Sequence, residues 1–352
     1  MADAIPCGAA ERCRAAVAPA NRRSLNVRRP LANLIAATAV LFAMTTPSHA
    51  RDAVLEGKQN WLFAGWESLT APKPAAEKSS IALIAGASRM FAKKNIKLIV
   101  LIVPLKPRYY EPLLPDGAAM SDEIRKRYDA LLTELRTGGV TAVDVRDAFK
   151  TVIASKQEVF YRADFHWTTF AAEASADQVA ALMLSTGPLP GKAGTGMKLG
   201  EWINDRHLGD LAANFLSPER KRAIGPEAYV IRQAPKAESG KADGGLLDGD
   251  PAPVAVVGNS FVQPYFGFSQ RLSNRIERPV TLKWNPGDVG PWASLLQYLK
   301  STDFKSSPPQ FLVWQFNEAQ LQNGPDAMGE WASQSIISPA DWSARVQDAL
   351  RN

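Results

Sequence analysis

The chain has 352 residues, 46% of them hydrophobic, with 41 Lys and Arg against 35 Asp and Glu. The positive excess is local: Arg12, Arg14, Arg22, Arg23, Arg28 and Arg29 face only Asp3 and Glu11 within residues 1–50, which leaves 35 basic against 33 acidic groups beyond them. The basic balance is therefore no argument for a nucleic-acid partner, and because Cys7 and Cys13 lie in the same leading stretch, the remainder has neither disulfide nor thiol chemistry.

In chain order, a polar, arginine-bearing stretch runs into LANLIAATAVLFAM, apolar from Leu31 to Met44, and then into TTPSHA, with Ser48 and Ala50 at small-residue positions. A basic flank, an apolar run shorter than the roughly 18 residues of a membrane span, and a small-x-small exit predict a secretory signal over 1–50. The mature chain then starts near Arg51 and is periplasmic; an uncleaved inner-membrane anchor is the alternative. The long stretch before the apolar run points to a translation start downstream of Met1. Residues 51–352 are expected to form a single domain.

KLIVLIV (97–103) is a continuous apolar, β-branched run ending at Pro104, the pattern of a strand buried on both faces. SDEIRKRYDALLTELRTGG reads as a helix capped by Ser121 and stopped by Gly138 and Gly139. VTAVDV (140–145) predicts another strand, DAFKTVIAS a short helix, and the stretch from Thr168 to Ser185 a long alanine-rich helix. PVAVV (253–257), PVTLKW (279–284) and QFLVWQF (310–316) predict the remaining strands. This alternation predicts an α/β fold, a doubly wound parallel sheet flanked by helices on both faces. From Gly187 to Asp250 the rhythm breaks into Gly/Pro-rich phrases around one short helical piece, EWINDRHLGDLAANFL, which reads as an excursion or lid over the sheet. Those glycines lack phosphate-loop spacing and no metal-ligand cluster stands out, so neither cofactor nor metal is expected.

With His49 inside the predicted cleavage site, His166 and His207 remain as candidate bases. In RADFHWT, Asp164 precedes His166 by two, and in an extended segment both would share a face, letting the carboxylate orient the imidazole. His207 has Asp205 at the same spacing and Asp210 nearby, so spacing alone leaves both histidines open. The candidate nucleophile is Ser260, where PVAVV runs into GNSF and a segment able to form a helix. A serine at such a turn stands at the carboxyl edge of the sheet, and a helix N-terminus there offers N–H groups to a developing oxyanion. A helix-capping serine would read the same way; the preceding strand and the Asp-x-His segment elsewhere favour catalysis.

Together these residues resemble the AlgX/AlgJ-type alginate O-acetyltransferase family, SGNH-hydrolase-like proteins in which Asp-x-His precedes the serine, a permuted order relative to ordinary SGNH esterases. The matching pieces are GKQNWLF (57–63), VPLKPRYYEPLLP (103–115), RADFHWT (162–168), HLGDL (207–211), VGNSF (257–261) and VWQFNEAQL (313–321), in the family's order. The resemblance implies Ser260 as acyl nucleophile, His166 as base and Asp164 as its orienter. The Ser260 N–H and the Asn259 amide become the oxyanion donors. It also implies a polysaccharide substrate and an acetyl group passed on by a membrane-bound acyltransferase. Lys106, Arg108 and Tyr110, after the first strand, either meet the glycan or form an ordinary solvated loop. The last motif departs from its relatives, which tend to read Trp-x-Phe/Met-Pro-Glu-Arg-Tyr-Leu: Asn317 replaces the proline, and Ala319 and Gln320 replace the Arg-Tyr pair. Only 36 residues follow Phe316, too few for the C-terminal carbohydrate-binding module of some relatives. The same residues would serve a carbohydrate acetylesterase with water as acceptor, or persist in a non-catalytic polysaccharide-binding or assembly protein.

Overall fold

The computed structural model describes residues 53–233 and 251–351. The predicted leader and the segment before Pro251 lie outside the described residues. Nine strands are found among those described: β1 (Val54–Glu56), β2 (Leu62–Ala64), β3 (Lys97–Val103), β4 (Thr141–Val143), β5 (Trp202–His207), β6 (Glu227–Arg232), β7 (Val254–Gly258), β8 (Val280–Trp284) and β9 (Phe311–Asn317). Five of them form a parallel sheet in the order β4-β3-β9-β7-β8. The last strand in sequence thus lies at the centre. From β3 the chain winds outward to β4, and from β7 it winds outward the other way to β8. The carboxyl ends of β3, β9 and β7 therefore bound the crevice where open α/β sheets bind ligands.

Alternation along each strand divides the apolar residues between two cores. Ile99, Leu101, Val256 and Val313 pack beneath the helices Arg146–Ala154, Thr169–Ser185 and Phe268–Ile276. Val100, Ile102, Val257 and Trp314 pack against Pro74–Ala92, Asp122–Thr137, Gly290–Lys300 and Pro339–Ala349. Both faces are covered, which is why KLIVLIV tolerates no polar residue after Lys97. The helix starts follow their caps: Ser121 Oγ accepts from Ile124 N–H, and Thr168 accepts from Ala171 N–H.

Three readings need correction. β4 spans only Thr141–Val143, because Val145 already caps the Arg146–Ala154 helix. The interval from 187 holds more than one short helix: β5 and β6 pair antiparallel, Trp202 opposite Arg232, with the helices Asp210–Phe215 and Pro218–Ile224 between them. The Pro74–Ala92 and Pro339–Ala349 helices had no counterpart in the pattern reading. The second is capped by Ser338 and sinks Trp342 and Val346 into the sheet's second core, where Trp342 stacks on Trp314. No helix among the described residues is long and apolar enough to cross a membrane.

Just past β9, the buried Glu318 gathers two cations. Arg108 Nε donates to its Oε2 at 2.7 Å, Arg127 Nε to its Oε1 at 3.0 Å, and Leu105 N–H to Oε2 at 3.0 Å. Burial alone would raise this carboxyl; the bonds and charges of Arg108 and Arg127 outweigh it and hold the pKa below the usual range. Glu318→Ala would leave Arg127 buried without its main partner and should cost about 3–5 kcal/mol. Urea unfolding of the variant, read as a lowered midpoint with unchanged slope, checks this.

Candidate active site

YRADFHWT forms a tight loop and not the extended segment expected. Phe160 and Trp167 make an isolated antiparallel bridge, and Tyr161 N–H donates to the His166 carbonyl at 3.2 Å. Within the loop, Asp164 Oδ1 accepts from His166 N–H at 3.0 Å and lies 2.8 Å from His166 Nδ1. The two-residue spacing works through an Asx-type turn, with one oxygen fixing both backbone and ring.

Two charges hold this loop. The Lys106 ammonium donates to the carbonyls of Leu62, Tyr161, Arg162 and Asp164 at 2.6, 2.7, 2.9 and 2.9 Å. Glu227 accepts from the N–H groups of Arg162 and Ala163, both at 2.8 Å. Burial pushes Lys106 down to about 7 against the opposing pull of Glu227, Asp164 and Glu67. Four carbonyl acceptors match the three hydrogens of an ammonium better than the two of an amine. From the next segment Gly209 comes so close that a Cβ there would lie 2.4 Å from the Ala163 backbone.

Ser260 arrives from β7. Asn259 Oδ1 accepts from Phe261 N–H at 3.0 Å, and Ser260 opens a single 3-10 turn ending at Val262. Pro264 and the left-handed Gly267 postpone the next helix to Phe268. The helix N-terminus expected directly at the serine is thus one 3-10 turn, with N–H groups but no long aligned dipole. Trp167 Nε1 donates to the Phe261 carbonyl at 2.8 Å and joins the two motifs. Ser260 Oγ then stands 2.8 Å from His166 Nε2.

The far oxygen of Asp164, Oδ2, accepts from Tyr229 OH at 2.8 Å and Asp210 N–H at 3.2 Å. Burial by itself would raise the Asp164 carboxyl, but the His166 charge and the hydrogen bonds from His166 and Tyr229 prevail and hold it well below the carboxylate range. Asp210 Oδ2 is 3.6 Å from His166 Nδ1, and burial followed by the charge of Asp164 raises its pKa. Asp164, His166 and Asp210 bring ligand-type atoms within 4.8 Å of one another. The imidazole nitrogens already face Asp164 and Ser260, and Asp164 accepts four hydrogen bonds, so the set is committed to orienting the ring. His207 lies one layer out: it stacks on Tyr229 at 3.9 Å, and its Nε2 is 3.0 Å from Tyr265 OH.

The serine opens into a cleft of about 800 Å³ that Phe165, Asn259 and Gln320 also line. Lys106, Arg108 and Tyr110 do not reach it as glycan contacts. Lys106 is buried under the His166 loop, Arg108 is turned to Glu318 and the Arg125 carbonyl, and Tyr110 donates to Glu158 while stacking on Trp61. The Asn259 amide is corrected too as an oxyanion donor: its hydrogens go to Asn317 Oδ1 at 3.3 Å and Gln320 Oε1 at 3.1 Å. Those acceptors are the residues that depart from the family motif. Gln315 Nε2 also donates to Asn317 Oδ1 at 2.8 Å, so the substitutions build a carboxamide network under the serine.

A family model described as an SGNH hydrolase-like domain, acetyltransferase AlgX, matches residues 54–318. The chain belongs to this acetyltransferase family. Among its relatives, a probable alginate O-acetylase AlgJ of Pseudomonas fluorescens is 28% identical over 293 residues, 82% of this chain and 74% of that protein. The O-acetyltransferase domain of Pseudomonas putida AlgJ superposes with a TM-score of 0.67 at 26% identity, over 84% of this chain and 99% of that one. Pseudomonas aeruginosa AlgX shares the fold, with a TM-score of 0.55 at 20% identity over 83% of this chain and 67% of that one.

Sequence reasoning missed Tyr229 and Glu227, which lie in β6, an exposed-looking stretch with no motif of its own. It missed Glu67 as well, a cleft-lining carboxyl whose pKa burial, aided by the Glu318 charge, raises from 4.5 to about 8. A raised folded pKa means tighter proton binding in the folded state. The stabilisation is complete below about pH 4.5 and is lost as pH rises through about 8. Glu67→Gln, which mimics the protonated acid, should match wild type near pH 5 and exceed it in melting temperature by several degrees above about pH 8; paired thermal melts across that range check it.

Proposed function

We propose that this protein is a periplasmic O-acetyltransferase that acetylates hydroxyl groups of an exopolysaccharide through an acetyl-Ser260 intermediate. The observation that carries this reading is the linear set Ser260 Oγ, His166 Nε2, His166 Nδ1 and Asp164 Oδ1, joined by two 2.8 Å contacts at the mouth of a polymer-sized cleft. Family membership and the AlgJ relatives, named as alginate O-acetylases, support the reaction class. His166 takes the Ser260 proton as Oγ attacks the acetyl carbonyl, and the donor's leaving oxygen receives that proton as the ester bond breaks. His166 then takes the proton of a sugar hydroxyl, whose oxygen attacks the acetyl-serine and releases Oγ. Asp164 stays ionised and holds the tautomer. The backbone N–H of Ser260 is the oxyanion donor in this reading, since the Phe261 and Val262 N–H groups are taken by the Asn259 side-chain and backbone oxygens. Residues 1–50 export the chain, residues 51–352 act as one domain, and a membrane-bound acyltransferase supplies the acetyl group.

Incubation with a soluble acetyl ester should add one acetyl mass to the wild-type protein and none to Ser260→Ala. An oligosaccharide acceptor should discharge the adduct faster than buffer; equal rates would identify an esterase. Absence of any adduct defeats the enzymatic reading.

His166→Ala should lower ester turnover at least about 1,000-fold, and Asp164→Asn should slow adduct formation by a similar factor through the wrong tautomer. His207→Ala, which removes the stack on Tyr229 and the contact with Tyr265 but no partner of Ser260, should stay within about tenfold of wild type. Single-turnover acetylation followed by mass spectrometry measures all three; a His207 effect larger than that of His166 would reverse the assignment.

A further inference from the structure

The lining of the cleft has a one-sided charge. Among the described residues it presents four acidic side chains, Glu67, Asp210, Asp288 and Glu330, and neither Lys nor Arg. Arg108 and Arg127, the cations gathered behind the β9 end, are turned to Glu318 and away from it. Past the end of β9 the lining continues with Ala319 and Gln320, neither of them charged. A polyuronate entering here would bring a carboxylate on each sugar to a wall that offers no counter-charge.

The remaining lining suits uncharged sugar rings. Trp66, Phe165 and Phe215 form an aromatic wall, with Trp66 5.5 Å from Phe165 and 5.6 Å from Phe215 by ring centroids. Trp66 and Phe215 are 38% and 47% exposed, unusual for large apolar side chains unless something covers them. Trp284 and Trp331 add two more rings. Asn214, Gln263 and Asn323 supply carboxamides, which donate to and accept from hydroxyls without charge. The Glu67 carboxyl, on a residue only 7% exposed, lines the same space without a hydrogen-bond partner among the described residues. Burial holds its proton up to about pH 8, so at neutral pH it offers a hydroxyl-like donor and acceptor.

We propose that the acceptor of this cleft is a neutral, hydroxyl-rich glycan whose rings pack on the exposed aromatic wall, and not a polyuronate. This rests on the polysaccharide O-acetyltransferase reading above and names its substrate class. Asp210, Asp288 and Glu330 act on the acceptor in two ways: they accept hydrogen bonds from its hydroxyls, and they repel a polymer bearing carboxylates. The second effect is screened by salt and the first is not.

The test separates this inference from the chemistry. Ser260→Ala protein is titrated, by tryptophan fluorescence at low ionic strength, with a neutral β-linked glucose hexasaccharide and with a mannuronate hexasaccharide. The neutral sugar should bind at least about tenfold more tightly, and added salt should strengthen uronate binding while leaving neutral binding unchanged. The double variant Asp288→Asn, Glu330→Gln should narrow the ratio at low salt by raising uronate affinity. Uronate binding equal to or tighter than neutral binding, or no binding of either sugar, overturns the proposal. Selective binding in a protein whose wild type forms no acetyl adduct would leave the glycan class standing and remove the transferase reading.

Discussion

The site depends on how a six-residue loop is clamped by one buried cation, Lys106, and one half-buried anion, Glu227. Residues 161–166 make few hydrogen bonds among themselves, so their backbone groups need outside partners. Lys106 collects the carbonyls and Glu227 the N–H groups, at distances of 2.6 to 2.9 Å. The two charges come from either side of the loop in sequence, Lys106 from just past the end of β3 and Glu227 from the start of β6. Each favours the ionised form of the other. The imidazole can therefore sit in a loop and still hold the fixed geometry usually found on a helix or strand.

The sheet supplies the second half of the alignment. Its central strand is the last in sequence, so β9 delivers Glu318 and the carboxamides of Asn317 and Gln320 between the ends of β3 and β7. Gln315, inside β9, reaches across to the Asn259 N–H at 3.0 Å, and Gly258 leaves room for it, since a Cβ there would stand 2.6 Å from the amide oxygen. The nucleophile turn is thus fastened to the strand beside it, and the Trp167 indole fastens it to the histidine loop.

Much of this was legible in the sequence. The inner strands β3, β7 and β9 announced themselves as apolar runs because both their faces are buried, the edge strands β4 and β8 being only partly covered, and Ser121 and Thr168 marked their helices because a cap's side chain has a local job. Spacing and residue type offered Asp164, His166 and Ser260 as candidates but left His207 open beside His166, the choice between them coming from the family resemblance; the reason Asp164 reaches His166 is a turn and not strand alternation. Lys106 was misplaced because a lysine after a strand reads as solvated; only the tertiary fold shows four carbonyls converging on it. Tyr229 and Glu227 carry no pattern, and Asp210, though inside HLGDL, gave no sign of its role, since all three act by touching residues 46 to 65 positions away. The departures at Asn317 and Gln320 were visible, but that they bond to Asn259 was not.

Those departures set the chemical character of the floor beneath the nucleophile. Gln315, Asn317, Asn259 and Gln320 are linked amide to amide, and none of them gains or loses a proton under conditions in which proteins stay folded. Directly below the serine these carboxamides carry no charge, while among the described residues Asp164, His166 and Asp210 stand on the imidazole side and the Glu318 carboxylate lies beyond the network, turned to Arg108 and Arg127. A change in the surrounding medium therefore reaches the reaction through the base and the acceptor's path, and leaves the platform under the attacking oxygen where it was.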